Sequence, residues 1–81
     1  MQPDEVKQLI EQGLKESQAT VAGEGKNFDL CVVWDGFTGL LPVKRQQAVY
    51  AALQEQITSG NLHAITMRTY TTAEYAANRH G

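Results

Sequence analysis

Apolar residues near the start of this chain recur at the spacing of an α-helix. Val6, Leu9, Ile10 and Leu14 form one stripe, and the positions between them are mostly polar or charged. Pro3 is suited to the first position of a helix, and the two acidic residues that follow it are favoured at the positive end of the helix dipole. The pattern therefore predicts a first helix that begins at Pro3.

Apolar and polar residues alternate from position 28 to position 34, which is the pattern of a half-buried strand. One face carries Phe28, Leu30, Val32 and Trp34, and the other carries Asp29, Cys31 and Val33. A shorter β-prone segment at residues 20–22 precedes this strand, and Gly23 and Gly25 lie between the two. Because glycines favour tight turns between antiparallel strands, the sequence predicts a β-hairpin.

The middle of the chain is predicted to form a long helix. Pro42 is suited to a helix start, and apolar residues recur at intervals of three and four between positions 43 and 58. The Ser-Gly-Asn segment at residues 59–61 ends this pattern, since Gly60 readily adopts the left-handed conformation that terminates helices.

A third strand signal and a helix-capping signal follow. Residues 64–70 read as the last strand, and Thr71 and Glu74 have the spacing of a capping box. The capping box predicts a short last helix that extends through Tyr75 and Ala77. Together these elements predict an α+β fold with one domain over residues 1–81, in which helices cover one face of a three-stranded sheet.

Composition narrows the class of protein. The chain has 81 residues, of which 42% are apolar, and a single Cys, which allows one small core without disulfides and is typical of a reducing compartment. The first residues include an acidic pair and no apolar block, so we expect neither a secretory signal nor a membrane span, and a cytoplasmic location. A formal net charge of −2 argues against nucleic-acid binding as the main activity. Because so small a domain has little room for a catalytic cleft, we expect no enzyme.

Two short segments are candidates for binding an anion or a nucleic acid. Gly36 and Gly39 have the spacing of the loop with which KH domains hold single-stranded nucleic acid, but no basic residue lies between them. Lys44 and Arg45 lie in the first turn of the predicted helix, where cations oppose the positive end of the dipole. Either both side chains extend into water, or an anion or acidic partner binds at this helix start.

His63 is the best-placed candidate metal ligand in the sequence. It follows the turn at Gly60 and stands where the last strand begins, which keeps a ring nitrogen accessible. From the residues alone, a hydrogen-bonded structural histidine is the more frequent alternative. Cys31 has no second Cys at any spacing, so we interpret it as a small hydrophobic residue.

Four motifs of fixed order and spacing lie between residues 37 and 75. They are Phe37-x-Gly39, Val43-Lys44-Arg45-Gln46-Gln47-x-Val49-Tyr50-x-x-Leu53, Leu62-His63-Ala64 and Tyr70-Thr71-x-Ala73-Glu74-Tyr75. These motifs resemble the BolA family, especially its bacterial, acid-stress branch. The resemblance implies a fold similar to class II KH domains. The elements would follow the order α-β-β-α-α-β with a short C-terminal helix, and the three strands would form a mixed sheet with helices packed on one face. It also implies a non-enzymatic partner of monothiol glutaredoxins, sharing a bridging 2Fe-2S cluster in iron homeostasis and cluster trafficking.

The resemblance further implies that His63 is the cluster ligand. Other family members carry a second candidate ligand, His or Cys, in the loop between the first two strands, and this chain has Asn27 there. An amide oxygen matches an iron–sulfur cluster poorly. Cys31 lies about 13 Å further along the strand at about 3.3 Å per residue, so it does not substitute. A water, a backbone group or His80 are the alternatives for completing the site.

The remaining expectations from the resemblance concern partners. Lys44 and Arg45 would help to dock the glutaredoxin with its glutathione, and the chain would be a monomer alone and a heterodimer with that partner. Some members of the family are described as transcriptional regulators, so DNA binding is the second function to consider. In that case Gly36, Gly39, Lys44, Arg45 and Arg68 would contact the nucleic acid.

Overall fold

The computed structural model describes residues 1–78 of the chain. In chain order the elements are α1 (Pro3–Gly13), β1 (Gln18–Glu24), β2 (Asn27–Val33), a 3₁₀ turn (Asp35–Phe37), α2 (Pro42–Ala52), α3 (Gln54–Thr58), β3 (Ala64–Tyr70) and α4 (Thr72–Asn78). β2 is the central strand, and β1 pairs with it in antiparallel orientation and β3 in parallel orientation. The α+β class, the element order and the mixed three-stranded sheet agree with the prediction.

The predicted apolar faces of α1 and β2 meet in the core. Val6 and Ile10 of α1 are fully buried, and so are Leu30 and Val32 of β2. The same cluster includes Leu14, Ala19, Phe28, Phe37, Val49, Leu53 and Leu62. The helices that precede β3 thus cover one face of the sheet, as expected. None of the helices described within residues 1–78 is both long enough and apolar enough to cross a lipid bilayer.

The predicted hairpin between β1 and β2 is confirmed. A two-residue turn at Gly25 and Lys26 closes it, and the register pairs Glu24 with Asn27. Gly25 has a φ of 67°, a left-handed conformation that glycine adopts without steric cost. At Gly23 an added Cβ would lie 2.3 Å from the carbonyl oxygen of Asn27, so a larger residue would separate the two strands.

The predicted single helix over residues 43–58 is wrong, because the chain forms two helices that meet at Leu53. Leu53 has a φ of −109° and a ψ of 10°, and its N–H donates to the carbonyl of Tyr50 in a tighter 3₁₀-type turn. Leu53 is fully buried, and Ile57 packs against the same core. The break therefore redirects the chain while both side chains stay on the core. Apolar spacing does not reveal such a break, but the two-helix order implied by the family resemblance is confirmed.

β1 is longer than the predicted segment at residues 20–22. Pairing with β2 extends it to Gln18–Glu24, because the ladder supplies hydrogen bonds to residues with little strand preference of their own. Side chains of α1 bind some of the backbone N–H and carbonyl groups on the outer edge of β1. Glu11 accepts a hydrogen bond from the N–H of Ala19 at 2.9 Å, and Lys7, which is paired with Glu11, donates to the carbonyl of Ala19 at 3.1 Å. This ion pair occupies backbone groups that an edge strand would otherwise leave open.

Candidate functional site

His63 lies immediately before β3, at the end of the sheet that carries the hairpin turn. Its backbone N–H donates to the carbonyl of Lys26 in that turn at 2.8 Å. The preceding residue, Leu62, is 2% exposed and anchors the segment in the core, whereas His63 itself is exposed. The backbone at His63 is therefore fixed, and the residue faces solvent. We call His63, Lys26 and Asn27 the histidine end of the sheet.

Asn27 is the residue at the predicted position of a second ligand. The β2–β3 register pairs it with Ala64, the residue directly after His63, and Asn27 is exposed. The structure thus brings the loop position beside His63, and that position offers an amide.

The other candidate ligands are not found at the histidine end. Cys31 lies four residues further along β2 and is in register with Arg68, in agreement with the distance expected from the sequence. His80 lies outside the described residues. Within residues 1–78, no three His, Cys, Asp or Glu side chains come together as a ligand set for a metal ion.

The opposite end of the sheet carries the connection from β2 to α2. An added Cβ at Gly36 would lie 2.4 Å from the indole ring of Trp34. That ring is held by a hydrogen bond from its Nε1 to the carbonyl of Lys15 at 2.8 Å and by an edge-on contact with Phe37, with ring centroids 5.1 Å apart. Gly39 has a φ of 82°, which disfavours other residues. Packing and backbone conformation thus explain both glycines.

Arg45 is bound within the chain. Its Nη1 and Nη2 donate to the two carboxylate oxygens of Glu74 at 2.6 and 3.2 Å, and its Nε donates to the carbonyl of Leu40 at 2.9 Å. The guanidinium also lies over the ring of Phe37, 5.7 Å from the centroid, and the side chain is only 13% exposed. Of the two alternatives, extension into water does not hold for Arg45, because its guanidinium binds a carboxylate of α4 in the same chain.

Lys44 is exposed, and within residues 1–78 its ammonium group has no hydrogen-bond or ion-pair partner. It lies at the start of α2, next to the Arg45–Glu74 pair, and Glu74 follows the far end of β3. The seven residues of β3 separate this end from His63 by about 20 Å, at about 3.3 Å per residue. The structure therefore does not bring His63 and Lys44 together.

The predicted capping box at the start of α4 is confirmed. Thr71 Oγ1 accepts from the N–H of Glu74 at 3.2 Å, and the Glu74 carboxylate accepts from the N–H of Thr71 at 2.9 Å. The hydrogen bond from Arg45, together with the one from the Thr71 backbone, lowers the pKa of Glu74 to about 2. Asp35 adds another contact by accepting from the N–H of Thr72 at 2.9 Å. Charged and polar contacts thus fix the start of α4.

Arg68 lies in the middle of β3, on the face of the sheet opposite the core. It is in register with Cys31, which pairs in turn with Thr20 of β1. Its Nη2 donates to Asp29 at 3.2 Å. Arg68 is therefore separated from the glycine loop and from the start of α2, and the candidate nucleic-acid contacts do not form one continuous surface.

Comparison with known proteins identifies the family of this fold and sequence. The model of the BolA-like protein family matches residues 5–74. The chain belongs to the BolA-like family. Acid stress protein IbaG of Escherichia coli strain K12 is 34% identical over 79 residues, which cover 98% of this chain and 94% of that protein. A bolA protein homologue from Coxiella burnetii shares 35% identity with a TM-score of 0.85, covering 94% of this chain and 97% of that one. Yeast Fra2 shares 27% identity with a TM-score of 0.75, covering 94% and 85%.

The BolA-like match includes the residues on which the expectations rest. Asn27, Lys44, Arg45 and His63 all lie within residues 5–74, and the match ends at Glu74. The resemblance read from the motifs is thus confirmed, together with the fold it implied.

Sequence reasoning missed the partners of two candidate cations in this BolA-like protein. Glu74 was interpreted only as a capping residue, although it also binds Arg45, 29 residues away in sequence. Asp29 binds Arg68 across 39 residues. No local pattern signals such pairs. The Asp29–Arg68 pair follows from the β2–β3 register, which places both residues on the same face of adjacent strands, but the sequence alone did not predict that register.

Proposed function

We propose that this BolA-like protein is a non-enzymatic partner of a monothiol glutaredoxin. In this proposal the two proteins share a bridging 2Fe-2S cluster in cluster trafficking and iron homeostasis, and His63 is this chain's ligand. The observation that supports it is an exposed histidine on a fixed backbone, held by the carbonyl of Lys26 and by buried Leu62. Such a backbone presents a ligand to an external centre at a defined position.

The donor set of the histidine end fits a shared centre. His63 offers one imidazole, and Asn27 offers an amide that binds iron poorly. Within residues 1–78 no three His, Cys, Asp or Glu side chains gather into a ligand set, so the thiolates of the glutaredoxin and of glutathione would supply the sulfur ligands. When bound, a cluster with mixed thiolate and imidazole ligands supplies a transferable unit of raised reduction potential. Because protons compete with iron for its ligands, binding of such a cluster depends on pH.

Lys44 is the second contact in this proposal. It is exposed and lies next to Arg45, whose partner Glu74 follows the end of β3 that is about 20 Å from His63. A globular partner of about 100 residues has a radius of gyration of about 13 Å, so it is large enough to reach both residues. We therefore propose that Lys44 steers an acidic group of the partner or of glutathione, and that Arg45 contributes indirectly by holding α4.

Anaerobic reconstitution with a monothiol glutaredoxin, glutathione, iron and sulfide tests the proposal. Adding the BolA-like chain should change the visible absorption and circular dichroism of the glutaredoxin cluster, and His63→Ala should abolish that change. Asn61→Ala is the matched control, because Asn61 is exposed and only two residues away. The proposal is wrong if the chain leaves the spectra unchanged, or if His63→Ala behaves like wild type.

Two further variants locate the second ligand. Asn27→His should slow the loss of visible absorbance as the pH is lowered, because the loop position lies beside His63 and would gain an imidazole. His80→Ala should weaken the spectral change only if the C-terminal residues supply the ligand. If His80→Ala has no effect, a water or a backbone group completes the site in the wild-type protein.

A further inference from the structure

A cavity of about 360 Å³ lies on the face of the sheet opposite the core, away from the histidine end. It is lined by Thr20, Cys31, Arg68, Tyr70, Tyr75 and Asn78. Small-molecule sites occupy about 300–1,000 Å³, so this cavity has room for a compact ligand. The three strands contribute its floor, and α4 contributes Tyr75 and Asn78 as one wall.

α4 is held in this position by polar contacts rather than by burial. None of its own side chains is buried. Its first turn is nevertheless fixed by the Thr71 cap, by Asp35 and by the two hydrogen bonds between Arg45 and Glu74. Core packing does not account for this arrangement, and α4 forms one wall of the cavity.

The lining of the cavity combines one cation with flat aromatic surfaces. Among residues 1–78, Arg68 is the only formally charged residue in the lining, and only its Nη2 has a partner there, which is Asp29. The rings of Tyr70 and Tyr75 lie 5.7 Å apart at an angle of 58°. Burial raises the pKa of the Cys31 thiol, so Cys31 stays neutral and adds no negative charge beside Arg68.

We infer that this cavity binds a small aromatic or heteroaromatic carboxylate. The carboxylate accepts hydrogen bonds from the free donors of Arg68, and the ring packs against Tyr75. A planar guanidinium matches the geometry of a carboxylate, and Arg68 supplies one positive charge, which balances the single negative charge of a carboxylate. The site uses neither His63 nor Lys44, so it is independent of the proposed cluster function.

Titration of ¹⁵N-labelled protein with indole-3-carboxylate tests this inference. The amide signals of Cys31, Arg68 and Tyr75 should shift in a saturable way, while those of the histidine end stay unchanged. Indole-3-carboxamide has the same ring without the charge, and it should bind about tenfold more weakly or worse, which is the loss expected when a charge-assisted pair is missing. Shifts that are absent, or that spread over the whole surface, would overturn the inference.

Variants assign the recognition to individual groups. Arg68→Gln should weaken carboxylate binding by about tenfold or more and remove the preference over the carboxamide. Lys44→Gln removes a positive charge from the start of α2, and His63→Ala removes the imidazole at the histidine end. Neither residue lines the cavity, so both variants should bind indole-3-carboxylate as wild type does. Tyr75→Ala should weaken the binding of both indole probes. The side chain of Tyr75 is exposed, so this variant should fold. Equal binding by Arg68→Gln and wild type would refute the role of Arg68 and, with it, the site.

Discussion

Gly36→Ala provides a direct test of why the Gly-x-x-Gly segment is present. The added Cβ would lie 2.4 to 2.5 Å from three atoms of the Trp34 ring, and contacts closer than 3.0 Å are essentially never found. The indole must therefore move by about 1 Å to reach an ordinary contact distance near 3.4 Å. The ring has little freedom to do so, because it bonds to the carbonyl of Lys15 and packs on Phe37.

The magnitude follows from those two contacts. Loss of the Trp34–Lys15 hydrogen bond costs about 1 kcal/mol, and loss of the edge-on contact with Phe37 about 0.5–1.5 kcal/mol. Alanine returns up to about 1 kcal/mol, because it restricts the unfolded chain more than glycine does. The expected net loss is about 0.5–2.5 kcal/mol of the free energy of unfolding. For a domain of this size, a loss of about 1 kcal/mol lowers the Tm by roughly 4–8 °C, so we expect a fall of roughly 2–20 °C.

A double-mutant cycle measured by far-UV circular dichroism isolates the clash. Gly36→Ala should be destabilising in the wild-type chain, and neutral or slightly stabilising in a Trp34→Ala background, where no indole lies over the new methyl group. Thr38→Ala, an exposed change in the same loop, should alter stability by less than about 0.5 kcal/mol. An equal cost of Gly36→Ala in both backgrounds would show that Trp34 is not the reason for this glycine.

Two further predictions concern the ion pairs that hold the ends of the fold. The hydrogen bonds from Arg45 and from the Thr71 backbone lower the pKa of Glu74 from 4.5 to about 2, so their contribution to stability is fully present above about pH 4.5 and is lost as the pH falls towards 2. NMR signals of α4 should report this acid step, and Glu74→Gln should lack it; an identical titration of both proteins would contradict the assignment. Glu11→Ala should lower the free energy of unfolding in urea by about 1 kcal/mol, because the N–H of Ala19 loses its acceptor. The exposed neighbour Gln8→Ala is its control, and an unchanged urea midpoint for Glu11→Ala would argue against the contact.

Much of the fold could be predicted because its signals are local. The alternation around Phe28 and Leu30 places β2 and its buried face, and the Thr71–Glu74 spacing places the start of α4. Both patterns act over a few residues, so neighbouring sequence suffices to define them. The apolar spacing does not predict the break at Leu53, because it continues from one helix into the next, and only the family resemblance implied two helices. The full length of β1 escaped prediction because pairing with β2, rather than its own residues, extends it.

The candidate site likewise has features that local sequence predicted and features that depend on tertiary contacts. Sequence placed His63 at the start of a strand, and its motif placed the chain in the BolA-like family, because both depend on residues close together in the chain. It also located Asn27 at the neighbouring loop position. The role of His63 as a cluster ligand stays a proposal.

Only the tertiary structure decided what Arg45, Gly36 and Arg68 contact. A charge pattern along the chain shows that a cation is present, but its free energy depends on which carboxylate, ring or water lies within a few ångströms. Glu74 reaches Arg45 across 29 residues, and Trp34 covers Gly36 because Lys15 and Phe37 hold its ring. By itself the sequence determined the elements and the family, since these depend on short-range patterns. The structure determined which of the candidate side chains remain available to a partner, because that depends on contacts between distant segments.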